Sequence, residues 1–481
     1  MSVFLFFRLI VLLLAVISAS FLLPIGTAFF LGETGVISSF AFPMIIIWVF
    51  AAVFYFTGRK KKISLTARTG FVIVAAFWIS ASILGAVPFM LSGYITNPAN
   101  AFFESVSGFT TTGATILTDV EILPRSLNLW RCQMHWLGGM GIVVLTVALF
   151  PLLGVGGFQL IKAETTGPEK DKITPRITDM AKVLWFIYLG LTVIQTVLLM
   201  IAGMDFVDAL GHSFASLGSG GFSTKNDSLA AYKSPAVEWI CMVFMLLAGI
   251  NFSLYYRLLM GRFQEVTRNT ELRVYVMIIV SASAIVIFAI LPMYTSIFES
   301  IRHGIFHVVS VMTTTGFAAA DFNAWPALAK MTLFFLMFIG GCSGSTAGGI
   351  KVIRWVTLGK QLSNEMKRML HPHGVFSIHL NGRPGRKDIV YGVASYMFLY
   401  FVIVAITSVV ASVGGANTSS AITGSFALVG NIGPGFGMVG PTENFSFFAD
   451  WSKWWFCFAM LAGRLELYTM IIFFTPVFWK K

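Results

Sequence analysis

Long apolar segments separated by short polar connections dominate this sequence. A helix needs about 20 apolar residues to cross a hydrocarbon core of about 30 Å. Ten segments of the 481-residue chain approach this length, and they cover residues 4–23, 38–56, 71–91, 130–150, 180–202, 237–258, 272–293, 328–354 (interrupted), 389–413 and 454–478. The pattern predicts an all-α polytopic membrane protein. The first segment is also compatible with a signal peptide cut near Ala19, but its apolar run continues to Leu23, so an uncleaved helix is favoured.

The composition supports the same class of protein. Only 11% of the residues are charged, against about 25% in soluble proteins, while 57% are hydrophobic and the mean hydropathy is +0.82. These values exclude an ordinary soluble enzyme. The net charge of +12 does not indicate a nucleic-acid partner, because the basic residues lie in short runs between apolar segments and lack an aromatic platform. The four cysteines have no CxxC spacing and predict neither a disulfide framework nor a zinc site.

The basic residues also predict how the chain is oriented. Of the 33 Lys and Arg residues, 24 lie in alternate connections, at 59–68, 162–182, 257–273 and 351–387 and at the last two positions. Because cytoplasmic connections carry the excess of positive charge, both termini are expected in the cytoplasm. The opposite connections hold more acidic than basic residues, and an acidic mouth attracts cations. Topology alone also accounts for part of this asymmetry.

Four stretches too short to cross a bilayer lie between the apolar segments and resemble one another. Each ends in a Gly-rich run, and these runs are Thr110, Thr111, Thr112 and Gly113; Gly218, Ser219, Gly220 and Gly221; Thr313, Thr314, Thr315 and Gly316; and Gly430, Asn431, Ile432 and Gly433. The final glycines are 108, 95 and 117 residues apart. A period near 100 residues fits a membrane unit of helix, re-entrant half-helix, loop and helix.

A pair of small residues follows each Gly-rich run inside the next apolar segment, at 138–139, 248–249, 340–341 and 462–463. A single pair of this kind usually indicates close helix packing, but four pairs in register with four loops indicate four whole modules. We expect a two-helix addition at 1–66 and pore modules at 67–161, 162–261, 262–372 and 373–481, all around one central pore.

Physical chemistry gives the four loops a common location. Non-helical backbone at membrane depth is tolerated only where it is buried in protein or lines water. Four such loops should therefore meet around one axis, where extended Thr- and Gly-rich backbone turns carbonyl oxygens inward to replace the water around a cation. Glycine suits this arrangement because it adopts conformations that a Cβ disfavours. The predicted chemistry is coordination of an ion without catalysis.

Two further features predict a gate. The eighth apolar segment is broken by a run that includes Gly340, Gly341, Ser343, Gly344, Ser345, Gly348 and Gly349, and a continuous helix is improbable there. We favour a loop that lies beneath the four Gly-rich runs, which form the expected ion filter, over a tightly packed helix. Arg464 lies deep in the last segment, where a charge facing lipid is costly. We expect its guanidinium in the conduction path, and the alternative is a structural pair with Glu466 or another acid.

Glu104, His212 and His307 occupy one repeat position, nine residues before the final glycine of their runs. Polar anchoring of the short helices is the expected role, because filters of this kind bind ions through carbonyl oxygens.

The sequence resembles the TrkH branch of the Trk/Ktr/HKT superfamily of potassium transporters over essentially its whole length. The resemblance rests on Ser107–Gly113, the 307–317 loop, Gly341 to Lys351 and Ala462 to Arg464. It implies K⁺ as the transported ion, with the four Gly-rich runs as its filter and no covalent cofactor. It also implies a homodimer in a bacterial inner membrane, regulated by a cytosolic RCK-type nucleotide-binding subunit. None of the runs has the full TVGYG motif of a tetrameric potassium channel, so strict exclusion of Na⁺ is not implied.

Two other functions are compatible with parts of the sequence. Ser343 and His307 faintly resemble the serine and histidine of intramembrane rhomboid proteases, but such an enzyme has no use for four equivalent loops. A secondary transporter with alternating access usually shows two repeats and acidic residues within its spans. The glycines at 154–157 lack the Lys-Ser/Thr of a P-loop, so no nucleotide-binding loop is expected in this chain.

Overall fold

The computed structural model describes residues 3–58, 67–141, 177–381, 383–384 and 387–480. Within them the helices are α1 Val3–Ala19, α2 Leu22–Leu31, α3 Thr34–Gly58, α4 Ala67–Leu91, α5 Pro98–Phe109, α6 Arg125–Trp136, α7 Ile177–Ile201, α8 Phe206–Leu217, α9 Pro235–Ala248, α10 Phe252–Leu259, α11 Phe263–Thr267, α12 Thr270–Ile290, α13 Ile297–Met312, α14 Ala327–Leu336, α15 Val352–Leu370, α16 Lys387–Val413, α17 Thr418–Val429, α18 Asp450–Arg464, α19 Tyr468–Ile471 and α20 Pro476–Trp479. One short antiparallel pair joins His379–Leu380 to Arg383–Pro384. The predicted module boundary at 161–162 and the 154–157 glycines lie outside the described residues.

The predicted all-α membrane fold is confirmed. Six helical spans in the described parts of the chain are long and apolar enough to cross a membrane, and a seventh results if the bent pair α9–α10 counts as one. The N-terminal addition comprises α1 to α3, which pack on one another, while α1 also contacts α4 and α2 contacts α6. Arg8 on α1 donates a hydrogen bond to the Gly58 carbonyl at the end of α3 (2.6 Å).

The four modules follow one plan: a long helix, a short helix, a glycine loop and a further helix. The long and short helices pair as α4 with α5, α7 with α8, α12 with α13, and α16 with α17. Three of the short helices begin at a side-chain cap, and these caps are Asn97, Asp205 and Asn417. Three of the short helices have 12 residues and are about 18 Å long, and α13 has 16 residues and is about 24 Å long, so each is shorter than a hydrocarbon core of about 30 Å.

Contacts between modules close a ring. The helix after the loop of one module packs against the short helix of the next: α6 against α8, α9 against α13, and α18 back against α5. The third and fourth modules meet where Phe334 and Phe338 pack on Phe426, with ring centroids 5.8 and 4.3 Å apart. The chain therefore surrounds a common axis in the order one, two, three, four.

The helices after the loops are broken in every module, which the sequence predicted only for the third. After α6, a π-helical turn spans Leu137–Gly141 with non-helical backbone at Gly139. The pair α9–α10 bends by 90°, and fifteen residues lie between the end of α14 and the start of α15. After α18, Glu466 and Leu467 have φ of 61° and 50°. The expectation of one continuous span at 237–258 and another at 454–478 is therefore wrong.

The small residues at these breaks have a packing reason. A Cβ on Gly138 would lie 1.8 Å from the Phe109 carbonyl oxygen at the end of α5, and one on Gly463 would lie 2.0 Å from the Val429 carbonyl oxygen at the end of α17. Only a residue without a side chain lets these helices approach the ends of the short helices so closely.

Candidate functional site

The four Gly-rich runs meet around the ring axis, and they are called the filter segments here after the role expected from the sequence. The last glycine of each filter segment lies against a backbone carbonyl oxygen of a neighbouring module. That oxygen belongs to the third residue of the neighbouring filter segment. A Cβ added to Gly113 would lie 2.0 Å from the carbonyl oxygen of Gly220, and one added to Gly221 would lie 1.9 Å from that of Thr315. A Cβ added to Gly316 would lie 2.1 Å from the carbonyl oxygen of Ile432, and one added to Gly433 would lie 2.7 Å from that of Thr112. These contacts join module one to module two, two to three, three to four, and four to one. The loops thus form a closed ring.

The backbone repeats the same conformation in all four filter segments. The second residue of each segment is in the left-handed region, with φ of 54° at Thr111, 56° at Ser219, 55° at Thr314 and 53° at Asn431. The final glycine is left-handed as well, with φ of 80°, 78°, 79° and 97° in chain order. Left-handed residues at every second position let successive carbonyl groups turn to the same side, which is the geometry of a carbonyl-lined ion path.

Side chains behind the filter segments hold this backbone in place. In module one the Thr110 and Thr112 hydroxyl groups share a hydrogen bond (2.7 Å), and in module three Thr313 and Thr315 do the same (2.8 Å). Asn431 in module four donates to the Thr112 hydroxyl group (2.9 Å). All five side chains are fully buried, so the segments are braced from within the protein.

His135 fills the corresponding space in module two, and sequence reasoning missed it. Its Nδ1 lies 2.8 Å from the Gly108 carbonyl oxygen, and its ring packs on Phe222 with centroids 4.2 Å apart. A Cβ on Gly220 would lie 2.3 Å from the ring. A lone histidine in an apolar span carries no sequence signal for this position, because the contact depends on how modules one and two come together.

Hydrogen bonds also tie the segments that leave the filter into a belt. Between adjacent modules the bonds run from the Val120 N–H to Asn226 (2.7 Å), from the Leu229 N–H to the Ala318 carbonyl (3.1 Å), from the Gly437 N–H to Asn323 (3.0 Å) and from the Phe445 N–H to the Thr115 carbonyl (2.8 Å). Each module is therefore fixed to both of its neighbours just beyond the filter.

The side chains at the shared repeat position each contact the segment that follows their own filter segment. These residues are Glu104, His212 and His307. Glu104 accepts hydrogen bonds from the Thr115 hydroxyl and the Ile116 N–H, both at 3.0 Å. The Nε2 of His212 lies 3.0 Å from the Ser223 hydroxyl, and that of His307 lies 3.0 Å from the Ala320 carbonyl. All three side chains therefore link their short helix to the segment that follows the filter segment.

Residues 340–349, called the gate loop here after the role expected from the sequence, lie against the other side of the filter segments. The Thr346 hydroxyl contacts that of Ser219 (2.8 Å), and the Gly348 N–H donates to the Thr314 hydroxyl (2.6 Å). A Cβ on Gly348 would lie 2.5 Å from the Gly430 carbonyl oxygen. The loop thus touches modules two, three and four at once.

Helices outside the gate loop fix its two ends. The Cys342 N–H donates to the Gly249 carbonyl in the α9–α10 bend (2.9 Å). The Glu271 carboxylate on α12 accepts from the Ser343 N–H inside the loop (2.7 Å) and from the Ile353 N–H just after the loop (3.1 Å). Glu271 is 5% exposed. It was not selected from the sequence, because a lone acid at the start of a span gives no sign of the backbone it will cap.

Arg464 joins the gate loop to the break in module one. Its guanidinium donates to the Thr346 carbonyl (2.8 Å) and to the Gly138 carbonyl (2.6 Å). Glu466 forms an ion pair with Arg354, whose guanidinium lies 3.6 Å from the Tyr396 ring centroid. The charge of Arg464 therefore lies where the gate loop and a module break meet.

Charged side chains of the outer loops form exposed or half-exposed pairs. Arg125 pairs with Asp205, and Lys225 pairs with Glu121 at 3.1 Å. The amide of Asn226 donates to Asp119 (2.8 Å), and this hydrogen bond lowers the pKa of the Asp119 carboxyl. No group of three or more His, Cys, Asp or Glu side chains in the described residues is arranged to hold a metal ion.

An all-helical membrane fold with a closed ring of glycine loops defines a membrane transport protein. The chain belongs to the TrkH family of cation transport proteins, whose family model matches residues 37–481. The family is one of transporters and not of enzymes.

Similar proteins cover the whole length of the chain. It is 39% identical to the Trk system potassium uptake protein TrkH of Halomonas elongata, with 100% of both chains covered. It is 38% identical to the protein of the same name from Escherichia coli K12, over 98% of this chain and 99% of that one. The crystal structure of the potassium transporter TrkH from Vibrio parahaemolyticus superimposes with a TM-score of 0.88 at 34% identity, covering 100% of both chains.

Proposed function

We propose that this protein carries K⁺ into the cell through the ring of four filter segments. The observation that carries the proposal is the cyclic contact of each final glycine with a carbonyl oxygen in the adjacent module, because it gathers backbone oxygens from four repeats at one axis. Such oxygens replace the hydration shell of a cation. The names of the relatives identify that cation as potassium.

The membrane potential supplies the driving force for this uptake. It contributes about 2.3 kcal/mol per elementary charge per 100 mV, so cations enter without a chemical step by this chain. The role of the protein is to provide coordination at the filter segments and to control access to them.

The gate loop and Arg464 form the gate in this proposal. Hydrogen bonds from the loop to the filter segments of modules two and three support a closed state in which the loop covers the inner side of the filter. The Arg464 guanidinium holds the loop through Thr346 and adds a positive charge that repels cations. Opening requires these contacts to break together.

The remaining parts of the proposal concern the assembly. The charge distribution supports both termini on the cytoplasmic side of a bacterial inner membrane, with pore modules near the sequence boundaries given above. Exposed cations on the cytoplasmic half of α15, including Arg368, offer a surface to a cytosolic RCK-type nucleotide-binding subunit. The functional unit is a homodimer.

Ion flux into liposomes that contain the purified chain tests the function. We expect K⁺ and Rb⁺ to enter faster than Na⁺ and Li⁺ under an inside-negative potential. The flux should rise with the potential and need no second ion gradient. Uptake that requires an opposing or accompanying ion would instead support a secondary transporter. The absence of cation flux from both the wild-type chain and Arg464→Ala, in which the proposed gate is weakened, would refute the proposal.

A further inference from the structure

A buried ion pair lies directly behind the first filter segment. Arg131 on α6 contacts the Glu104 carboxylate on α5 through Nε and Nη2, both at 2.8 Å, and the two side chains are 1% and 0% exposed. The same carboxylate holds the Thr115 hydroxyl and the Ile116 N–H, two and three residues beyond Gly113. The ion pair therefore fixes the position of the backbone where the chain leaves the filter segment of module one.

Arg131 also reaches module two. Its Nη1 donates to the Ser223 carbonyl oxygen at 3.2 Å, two residues beyond Gly221. Its guanidinium carbon lies 4.2 Å from the centroid of the Phe222 ring, in cation–π geometry. One side chain therefore joins the exits of two adjacent filter segments. A lysine has no planar fork with which to make these contacts at once.

The other modules do without charges at these two positions. At the position of Glu104 stand His212, His307 and Gly424. At the position of Arg131, seven residues before the small-residue pair, stand Cys241, Leu333 and Trp455. The fold of a module therefore does not need an ion pair here. Removing two charges from water is costly, and a buried pair often contributes less to stability than apolar residues of similar volume.

We propose that Glu104 and Arg131 are positioning residues that set the spacing between the first and second filter segments and so determine ion selectivity. This inference rests on the proposed function. It attributes the difference between the first module and the other three to this one ion pair, here called the brace. The brace fixes Thr115 and Ser223 relative to each other, whereas the other modules have uncharged residues at the same two positions.

The test compares K⁺ and Na⁺ flux into liposomes for the full-length chain and its variants. Glu104→Gln leaves Arg131 buried without its carboxylate, and Arg131→Lys keeps the charge but loses the fork. The double variant Glu104→His with Arg131→Leu reproduces the neutral residues of module three. Glu121→Gln is the matched control, because the Glu121–Lys225 pair also joins modules one and two but its side chains are 43% and 35% exposed.

We expect both single variants to lower the K⁺/Na⁺ flux ratio by about tenfold, which corresponds to about 1.4 kcal/mol. The double variant should insert and conduct with the same reduced ratio, and Glu121→Gln should keep the wild-type ratio. If one single variant fails to fold, the other still decides the result.

Two results distinguish failure of this inference from failure of the proposed function. A wild-type ratio in Arg131→Lys or Glu104→Gln, or in the double variant, would overturn the role of the brace while leaving potassium uptake intact. If neither the wild-type chain nor Arg464→Ala passes any cation, the proposed function itself would be overturned.

Discussion

Replacing Gly113 by alanine tests the filter more sharply than removing any side chain. Gly113 has φ of 80°, and an added Cβ would lie 2.0 Å from the Gly220 carbonyl oxygen of the adjacent module. Contacts to a Cβ below 3.0 Å are essentially never observed, so the two filter segments must separate by about 1 Å. A binding site has to be held within about 0.5 Å of its productive geometry. The displacement is therefore about twice what a filter tolerates.

A matched control separates this collision from backbone strain. Gly93 has φ of 81°, and nothing lies within 4 Å of a Cβ built on it. Both substitutions place alanine in the left-handed region at a cost of about 1 to 2 kcal/mol. Only Gly113→Ala also moves a neighbouring carbonyl group. Any difference between the two variants therefore reports on the contact between filter segments.

The assay is the flux of K⁺ and Na⁺ into liposomes, with thermal unfolding in detergent recorded for the same preparations. We expect Gly113→Ala to lose at least about tenfold in the K⁺/Na⁺ flux ratio, whereas Gly93→Ala keeps the ratio and loses only stability. Each tenfold change corresponds to about 1.4 kcal/mol. Equal flux ratios in both folded variants would refute the argument that the glycine ring sets selectivity.

Three further predictions concern the gate and the module breaks. Arg464→Ala should raise K⁺ flux, since it removes a charge and the hydrogen bonds to the gate loop, while Arg262→Ala at an exposed position just before α11 should not; equal flux would exclude Arg464 from the gate. Glu271→Ala should raise basal flux more than Glu271→Gln, because the amide still accepts from the loop backbone; the reverse order would contradict the capping role. Gly463→Ala should lower the melting temperature far more than Gly190→Ala, since only the first Cβ meets a carbonyl oxygen, at 2.0 Å; similar shifts would show that the close approach is unimportant.

The repeated glycine pattern was sufficient to predict four modules around one axis. This succeeded because non-helical backbone in a membrane has few places to lie, and because four copies of one pattern reinforce one another. The break at 340–349 was predictable for a related reason, since its glycines and hydroxyl residues disfavour a continuous helix.

The breaks in the other modules depend on tertiary contacts that the sequence pattern does not reveal. The segment at 237–258 is mostly apolar and contains the single glycine Gly249, yet the chain bends by 90° there. The gate loop occupies that bend, and the Cys342 N–H bonds to the Gly249 carbonyl. The bend is thus completed by residues about ninety positions later in the chain.

Long-range contacts also explain why His135, Arg131 and Glu271 were not selected as site residues. His135 contacts Gly108 and Phe222, and Arg131 contacts Glu104 and the Ser223 carbonyl. His135 and Arg131 each contact a neighbouring module as well as their own, and Glu271 binds backbone 72 and 82 residues later in its own module. A pattern of polar and apolar positions identifies the face of a helix, but it does not identify which module lies against that face.

The most direct test of the central claim is a structure of the protein determined with Rb⁺, using anomalous scattering to locate the ion. Four filter segments that coordinate a cation through backbone oxygens predict Rb⁺ density on the ring axis, between Gly113, Gly221, Gly316 and Gly433. Density that lies away from this axis, coordinated by acidic side chains instead, would contradict the account.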